Sequence, residues 1–310
     1  MKKRLIAALL SLCMLLGMAP LSVLAAQPVY VALGDSISTG YGLDPEEAEK
    51  SFVEQIAEQQ ELSVTKLAAD GETTASLLAK LADADGAVAE ALETADVVTL
   101  TIGGNDFMNA LYEYMAEAYN TANGTSFTAE QFKQALEGKN EEPEQAAALA
   151  FVTQNISGFA FGAGGTLLTQ FETALNAIAL GIRGYTEAPV VVATQYNPYR
   201  FAADELKPFE QVMPDQVDAA QAIADAFDTM LARMNEKIKA LKAREGFFTA
   251  DVFSAFDGEE QQNPCNASFL SSNLDFHPNA HGHTLMAQTV GEVVQSALSG
   301  GTAESTDITV

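Results

Sequence analysis

Five short strand-like runs, each ending in a glycine or polar turn, constrain this chain more than any other feature. They occupy residues 28–33, 62–68, 95–102, 189–194 and 247–253. The first and fourth, with Val-Tyr-Val-Ala-Leu and Val-Val-Val-Ala, show little polar alternation, which is how a strand buried on both faces reads. Helix-spaced stretches lie between the runs. Phe52 and Ile56 mark one within 46–60, and Leu77, Leu78 and Leu81 mark a second behind a Thr73 cap. Alternation of this kind joins strands in parallel and lays helices on both faces. The expected fold is α/β, a three-layer αβα arrangement around a five-stranded, mostly parallel sheet.

The connection between the third and fourth strands is longer than one crossover helix requires. Apolar residues keep helical spacing at Phe107, Leu111 and Met115, at Leu149, Val152 and Ile156, and again at Leu168, Phe171, Leu175 and Ile178. The last set reads as the crossover, which makes residues 107–163 a helical insertion after the third strand. It begins immediately after Asn105-Asp106, at a strand's carboxyl end, where a substrate-binding cap would start. The other reading is a decoration packed on the side. A long helix over 215–244 and a final one over 279–298 complete the expected core.

The ends carry different signals. Lys2, Lys3 and Arg4 precede a largely apolar run over 5–24, and Val23-Leu24-Ala25 offers a small-residue site, so residues 1–25 read as a signal peptide cleaved after Ala25. Export to the extracellular side, from a bacterial host, is the expected localisation. No stable membrane insertion is expected after cleavage. Residues 26–300 form the expected domain, and the Gly-, Ser- and Thr-rich residues 301–310 read as a disordered tail. Removing 1–25 takes away three of the 16 Lys and Arg and none of the 42 acids, moving formal charge from −26 to −29. Such a surface repels nucleic acid. Cys265 is then the sole cysteine, so stability must come from the apolar core.

Four chemistry-bearing groups fall at carboxyl ends of consecutive elements, the edge where open α/β sheets hold ligands. Ser36, in Gly34-Asp35-Ser36, supplies a hydroxyl on a strand-to-helix turn. Gly71 supplies a backbone N–H with nothing bulky over it. Asn105 supplies a side-chain amide after two glycines, and His277 an imidazole just before the last helix. A nucleophile, a base and oxyanion donors are the parts acyl transfer needs.

Gly34-Asp35-Ser36, Gly71, Gly103-Gly104-Asn105-Asp106 and His277-Pro278-Asn279 together resemble the GDSL-type, or SGNH, hydrolases, in order and approximate spacing across residues 29–298. The strand and loop over 190–198 resemble the lipase and acylhydrolase branch. The resemblance implies a flavodoxin-like SGNH fold, with Ser36 as nucleophile and His277 as general base and then acid. It also implies an oxyanion hole formed by the Ser36 and Gly71 N–H groups and the Asn105 amide. No metal or organic cofactor is implied. The substrate would be a small-molecule or lipid-like carboxylic ester with a short to medium acyl chain. A carbohydrate deacetylase, a lysophospholipase and a catalytically silent extracellular binding protein are the alternatives. Oligomeric state is not encoded in these motifs.

The sequence departs from the family in one respect. The family usually has an aspartate three residues before the histidine, where this chain has Leu274. Asp275, two residues before, faces the same side as His277 if the segment is extended, and is the expected triad acid; a turn or a backbone carbonyl orienting the imidazole is the alternative. Asp275→Ala is then expected to cost far less than His277→Ala. Asp35 and Asp106 read as loop-bonding residues, Glu72 as an exposed loop acid, and His281 and His283 as ordinary helix residues without metal-ligand spacing.

Overall fold

The five runs form one parallel sheet in the computed structural model, which describes residues 26–44, 49–139 and 144–301. Its strands are β1 (Val29–Gly34), β2 (Ser63–Lys66), β3 (Val97–Thr101), β4 (Val190–Ala193) and β5 (Phe247–Ala250), in the order β2-β1-β3-β4-β5. Val31 pairs with Thr65 on one side and Val98 on the other. The expected signal peptide and nearly all of the expected tail lie outside the described residues. Among the described residues no helix is long and apolar enough to cross a membrane.

Helices follow in chain order as α1 (Ser36–Thr39), α2 (Phe52–Gln59), α3 (Thr74–Ala82), α4 (Ala87–Glu93), α5 (Gly104–Asn123) and α6 (Ala129–Leu136). After them come α7 (Gln145–Gly158), α8 (Gly164–Arg183), α9 (Ala202–Leu206), α10 (Pro214–Lys239), α11 (Val252–Asp257) and α12 (Ala280–Leu298). Alternate strand residues face opposite layers. Tyr30, Ala32, Val191 and Phe248 pack with α2, α11 and α12, whereas Val31, Leu33, Val98 and Val192 join a larger core with α3 to α8 and α10. The three layers follow from this division.

Local chemistry moves several boundaries from their expected places. Helix α2 starts at Phe52 because Ser51 and Glu54 form a reciprocal capping box there. Strand β5 stops at Ala250 because Asp251 caps α11, accepting from the Ser254 N–H at 3.3 Å. Only 63–66 of the second run is paired, and all four residues are exposed, because β2 is the sheet edge. Helices α4 and α9 add to the expected elements. Glu72 is a correction: it is 4 % exposed rather than an open loop acid, and the Lys80 ammonium on α3 pairs with it.

The long β3–β4 connection folds as α5 to α8, with a five-residue π-helical turn, Phe159–Ala163, between α7 and α8. Helices α5, α6 and α7 hold an aromatic cluster in which Tyr119 meets Phe151 at 5.0 Å and Phe132 at 5.8 Å between centroids. Phe107 connects this layer to α10 through an edge-on contact with Phe227 at 5.1 Å. Each such pair contributes about 0.5–1.5 kcal/mol beyond its buried area.

His283 on α12 is fully buried, with Nδ1 accepting from the Phe52 N–H at 3.3 Å and Nε2 without a hydrogen-bond partner among the described residues. Burial lowers its imidazole to about 4. The unfolded chain takes up that proton near the ordinary value of about 6.5, so between these values the unfolded state binds more protons and stability rises with pH. The contribution is complete above pH 6.5 and is lost as pH falls towards 4. Urea denaturation of the chain and of His283→Gln should show a stability difference that shifts against the parent by about 3 kcal/mol between pH 7 and pH 4. A pH-independent difference would contradict a buried neutral imidazole.

Candidate active site

Strand order reverses between β1 and β3, and a crevice opens at the carboxyl end of a sheet at such a switch point. Ser36 leaves β1 and Asn105 leaves β3, so the topology brings them together. Gly34 makes the β1 exit possible. Its φ is +125°, and a Cβ there would stand 2.1 Å from the Thr101 carbonyl oxygen. Gly103, at φ +111°, turns β3 into α5 where a Cβ would meet the Phe171 ring at 2.4 Å.

Ser36 is the first residue of α1, capped by Asp35, whose Oδ1 accepts from the Ile37 N–H at 3.1 Å and from the Thr101 hydroxyl at 2.8 Å. Burial raises the Asp35 carboxyl to about 6, with the Thr101 hydrogen bond opposing it. Asp106 accepts from the Thr74 N–H and hydroxyl and so fixes α3 to α5. Both acids hold structure at the exit loops.

His277 Nε2 lies 2.9 Å from Ser36 Oγ, and its Nδ1 lies 2.5 Å from Asp275 Oδ1. The same oxygen accepts the His277 backbone N–H at 3.2 Å, and Oδ2 accepts from Asn266 Nδ2 at 3.1 Å. Burial pushes the Asp275 carboxyl up, but the hydrogen bonds from His277 outweigh it and hold the group below its ordinary value. A carboxylate at Nδ1 leaves the Nε2 lone pair facing the serine hydroxyl. Asp275 therefore reaches the imidazole from two residues away.

Gly71 and Asn105 line the same cavity as Ser36 and His277. Asn105 Nδ2 donates to the Glu72 carbonyl at 2.9 Å, which ties the β3 exit to the β2 exit. An amide nitrogen has two N–H groups, so one remains to point into the cavity. Among the described residues no group of three or more His, Cys, Asp or Glu side chains stands at metal-binding distance.

Several supports were invisible to motif reading. Two tyrosines of the β4 exit loop pin the segment that carries Asp275 and His277. Tyr196 donates to the Phe276 carbonyl and Tyr199 to the Leu274 carbonyl, each at 3.0 Å. Burial raises both phenols well above their ordinary value, so they stay neutral donors. The imidazole itself stacks on the Phe276 ring at 4.5 Å and meets the tilted Tyr41 ring at 4.6 Å. The loop sequence around the two tyrosines carries no signal of partners some 75 to 80 residues away. Cys265 is a buried free thiol in the segment that forms an isolated β-bridge to Pro278, and its backbone N–H donates to Asn263 Oδ1.

From Ser36 the cavity extends for about 490 Å³ between α5, α6, α7, α10 and the loop before His277. Met108, Leu111, Met115, Val152, Ile223 and Phe227 make much of its wall, while exposed Glu137 and Lys139 stand on its solvent side. A hydroxyl, an imidazole, a carboxylate and free N–H donors beside an apolar chamber can perform acyl transfer on an ester.

The protein YpmR of Bacillus subtilis (strain 168) is 25 % identical over 275 residues, covering 86 % of this chain and 81 % of its own. The lipase Lip_vut3, from a goat rumen metagenome, shares the fold at a TM-score of 0.50 and 20 % identity, over 87 % of this chain and 97 % of its own. An acetyl xylan esterase from Geobacillus stearothermophilus is similar at a TM-score of 0.39 and 15 % identity, over 85 % of this chain and 93 % of its own. The model of the GDSL-like lipase/acylhydrolase family matches residues 32–285, most of the length, and the chain belongs to that family.

Proposed function

We propose that this chain hydrolyses carboxylic esters through an acyl-enzyme on Ser36. The observation that carries the reading is the continuous relay from Ser36 Oγ through His277 to Asp275, at 2.9 and 2.5 Å. His277 Nε2 takes the hydroxyl proton as Ser36 Oγ attacks the ester carbonyl, and Asp275 stabilises the imidazolium that forms. The tetrahedral oxyanion is met by the Ser36 and Gly71 N–H groups and the free N–H of Asn105. Collapse expels the alcohol, which leaves with the proton held on Nε2. Water then enters, gives a proton to His277, and attacks the acyl carbonyl to release the acid and restore Ser36.

The apolar chamber favours an acyl group of lipid character over the acetyl group of a carbohydrate ester. The basic and apolar pattern of residues 1–25 supports export, with cleavage after Ala25 and action outside the cell. Nitrophenyl butyrate, followed through the first turnover, tests the reaction. A burst of one nitrophenol per chain, with a butyryl mass increase on the Ser36 peptide, is the expected result. No turnover by the folded chain would refute it. Asn105→Ala should lower kcat by about 10²–10³-fold with a smaller change in KM, since the amide acts on charge that develops only in the transition state. A KM effect alone would assign Asn105 to ground-state binding.

A further inference from the structure

Helix α5 begins at the oxyanion end of the site and then runs along the chamber. Asn105, Met108, Leu111, Tyr112 and Met115 all line the cavity, at the three- and four-residue spacing of one helix face. Each residue advances the axis by 1.5 Å, so Asn105 and Met115 are about 15 Å apart along it. Met115 is fully buried and still touches the cavity, so it marks a closed end. The cavity measures about 490 Å³ and is open beside Glu137 and Lys139. Helices α7 and α10 supply apolar walls opposite α5, through Val152 and through Ile223 and Phe227.

We infer that α5 measures the acyl chain: the chamber seats a saturated chain of about 12 carbons along this helix face, with its carbonyl at Ser36 and Asn105 and its methyl end at Met115. The length follows from bond geometry. Single bonds of about 1.5 Å at near-tetrahedral angles advance an extended chain by about 1.25 Å per carbon, which fills about 15 Å with 12 carbons. The inference rests on the ester-hydrolase reading above for its carbonyl end. It also explains why residues 107–163 are there. The insertion is the acyl compartment, closed along one side by the helix that positions Asn105.

The test is a series of nitrophenyl esters from 2 to 16 carbons. In the parent chain kcat/KM should climb with each methylene, by roughly two- to fourfold as apolar area leaves water, and stop climbing near 12 carbons. Leu111 is six residues from Asn105, about 9 Å along the helix. Leu111→Trp should move the optimum to about 7 carbons and lower the 12-carbon to 6-carbon ratio of kcat/KM at least tenfold. Met115→Ala should move the optimum the other way, to chains longer than 12 carbons. Shifts in opposite directions are not a symptom of damaged folding, and if Leu111→Trp does not fold, the Met115→Ala shift decides alone.

Profiles that stay put in both variants, or a parent optimum at 2 to 4 carbons, would overturn the ruler while leaving ester hydrolysis intact. Calorimetry of dodecanoate binding to Ser36→Ala separates the two readings from the other side. Dodecanoate binding that Leu111→Trp weakens at least tenfold, beside a folded parent chain that turns over no ester, would uphold the chamber and remove the ester reading.

Discussion

Ser36→Ala should reduce ester turnover by about 10⁴-fold or more, with the fold unchanged. Among the described residues the one side-chain hydrogen bond of Ser36 is to His277 Nε2, and a methyl group keeps the rest of the packing. Asp35 caps α1 through its own carboxylate, and the Ser36 backbone still accepts from the Gly40 N–H at 3.2 Å. What is lost is the atom that forms the acyl bond. His277→Ala should cost a similar factor, because a serine hydroxyl without a base is a poor nucleophile at neutral pH. The double variant should be scarcely worse than either single one, since residues acting as a unit are not additive. Circular dichroism and a thermal melt accompany the kinetics. A double variant whose losses multiply would mean that the two side chains act independently.

The second large effect belongs to Asp275. Asp275→Ala should lower kcat roughly 10³-fold, a severe loss that still leaves at least tenfold more activity than His277→Ala. The carboxylate orients the ring through Nδ1 and favours the charged imidazole in the transition state. Part of the orientation survives its removal. Phe276 and Tyr41 both pack against the ring, and the Tyr196 and Tyr199 hydrogen bonds hold the neighbouring carbonyls in place. Steady-state kinetics of the two variants under saturating ester decide the matter. Equal losses would make the acid indispensable, and a loss under tenfold would make it a spectator.

Much of this arrangement was legible in the chain itself. Continuous apolar runs such as Val29–Gly34 admit few settings other than a covered sheet. The glycines and polar residues after them mark where ligands gather, and that placed Ser36, Gly71, Asn105 and His277 on one edge. Asp275 was legible too, because in extended backbone residues two apart share a side. Boundaries were less legible. Whether 62–68 is a long strand or a four-residue edge depends on whether a neighbour pairs with it, which sequence does not state. Glu72 reads as a loop acid until Lys80 on α3 is seen to cover it.

The supports around the site were illegible for a similar reason. Nothing near Tyr196 or Tyr199 announces carbonyls of 274 and 276 as their acceptors. His283 looks like any helix residue, and only the packing of α12 against α2 reveals its burial. The chamber is the sharpest case. Helical spacing identifies an apolar face of α5 at Phe107, Leu111 and Met115, but a face that packs on protein and a face that lines a cavity have the same period, and Met108 went unmarked. The difference is decided by where α7 and α10 stop short of filling the space.

Every step of the proposed reaction depends on a nucleophilic Ser36, and a fluorophosphonate probe tests that role most directly. The folded chain, from Ala26 onwards, is expected to take up one probe per molecule, on the peptide containing Ser36, at a rate that His277→Ala lowers by about 10³-fold or more. Ser36→Ala should take up none. Labelling that persists in Ser36→Ala, or a folded parent that remains unlabelled, would contradict a nucleophilic Ser36.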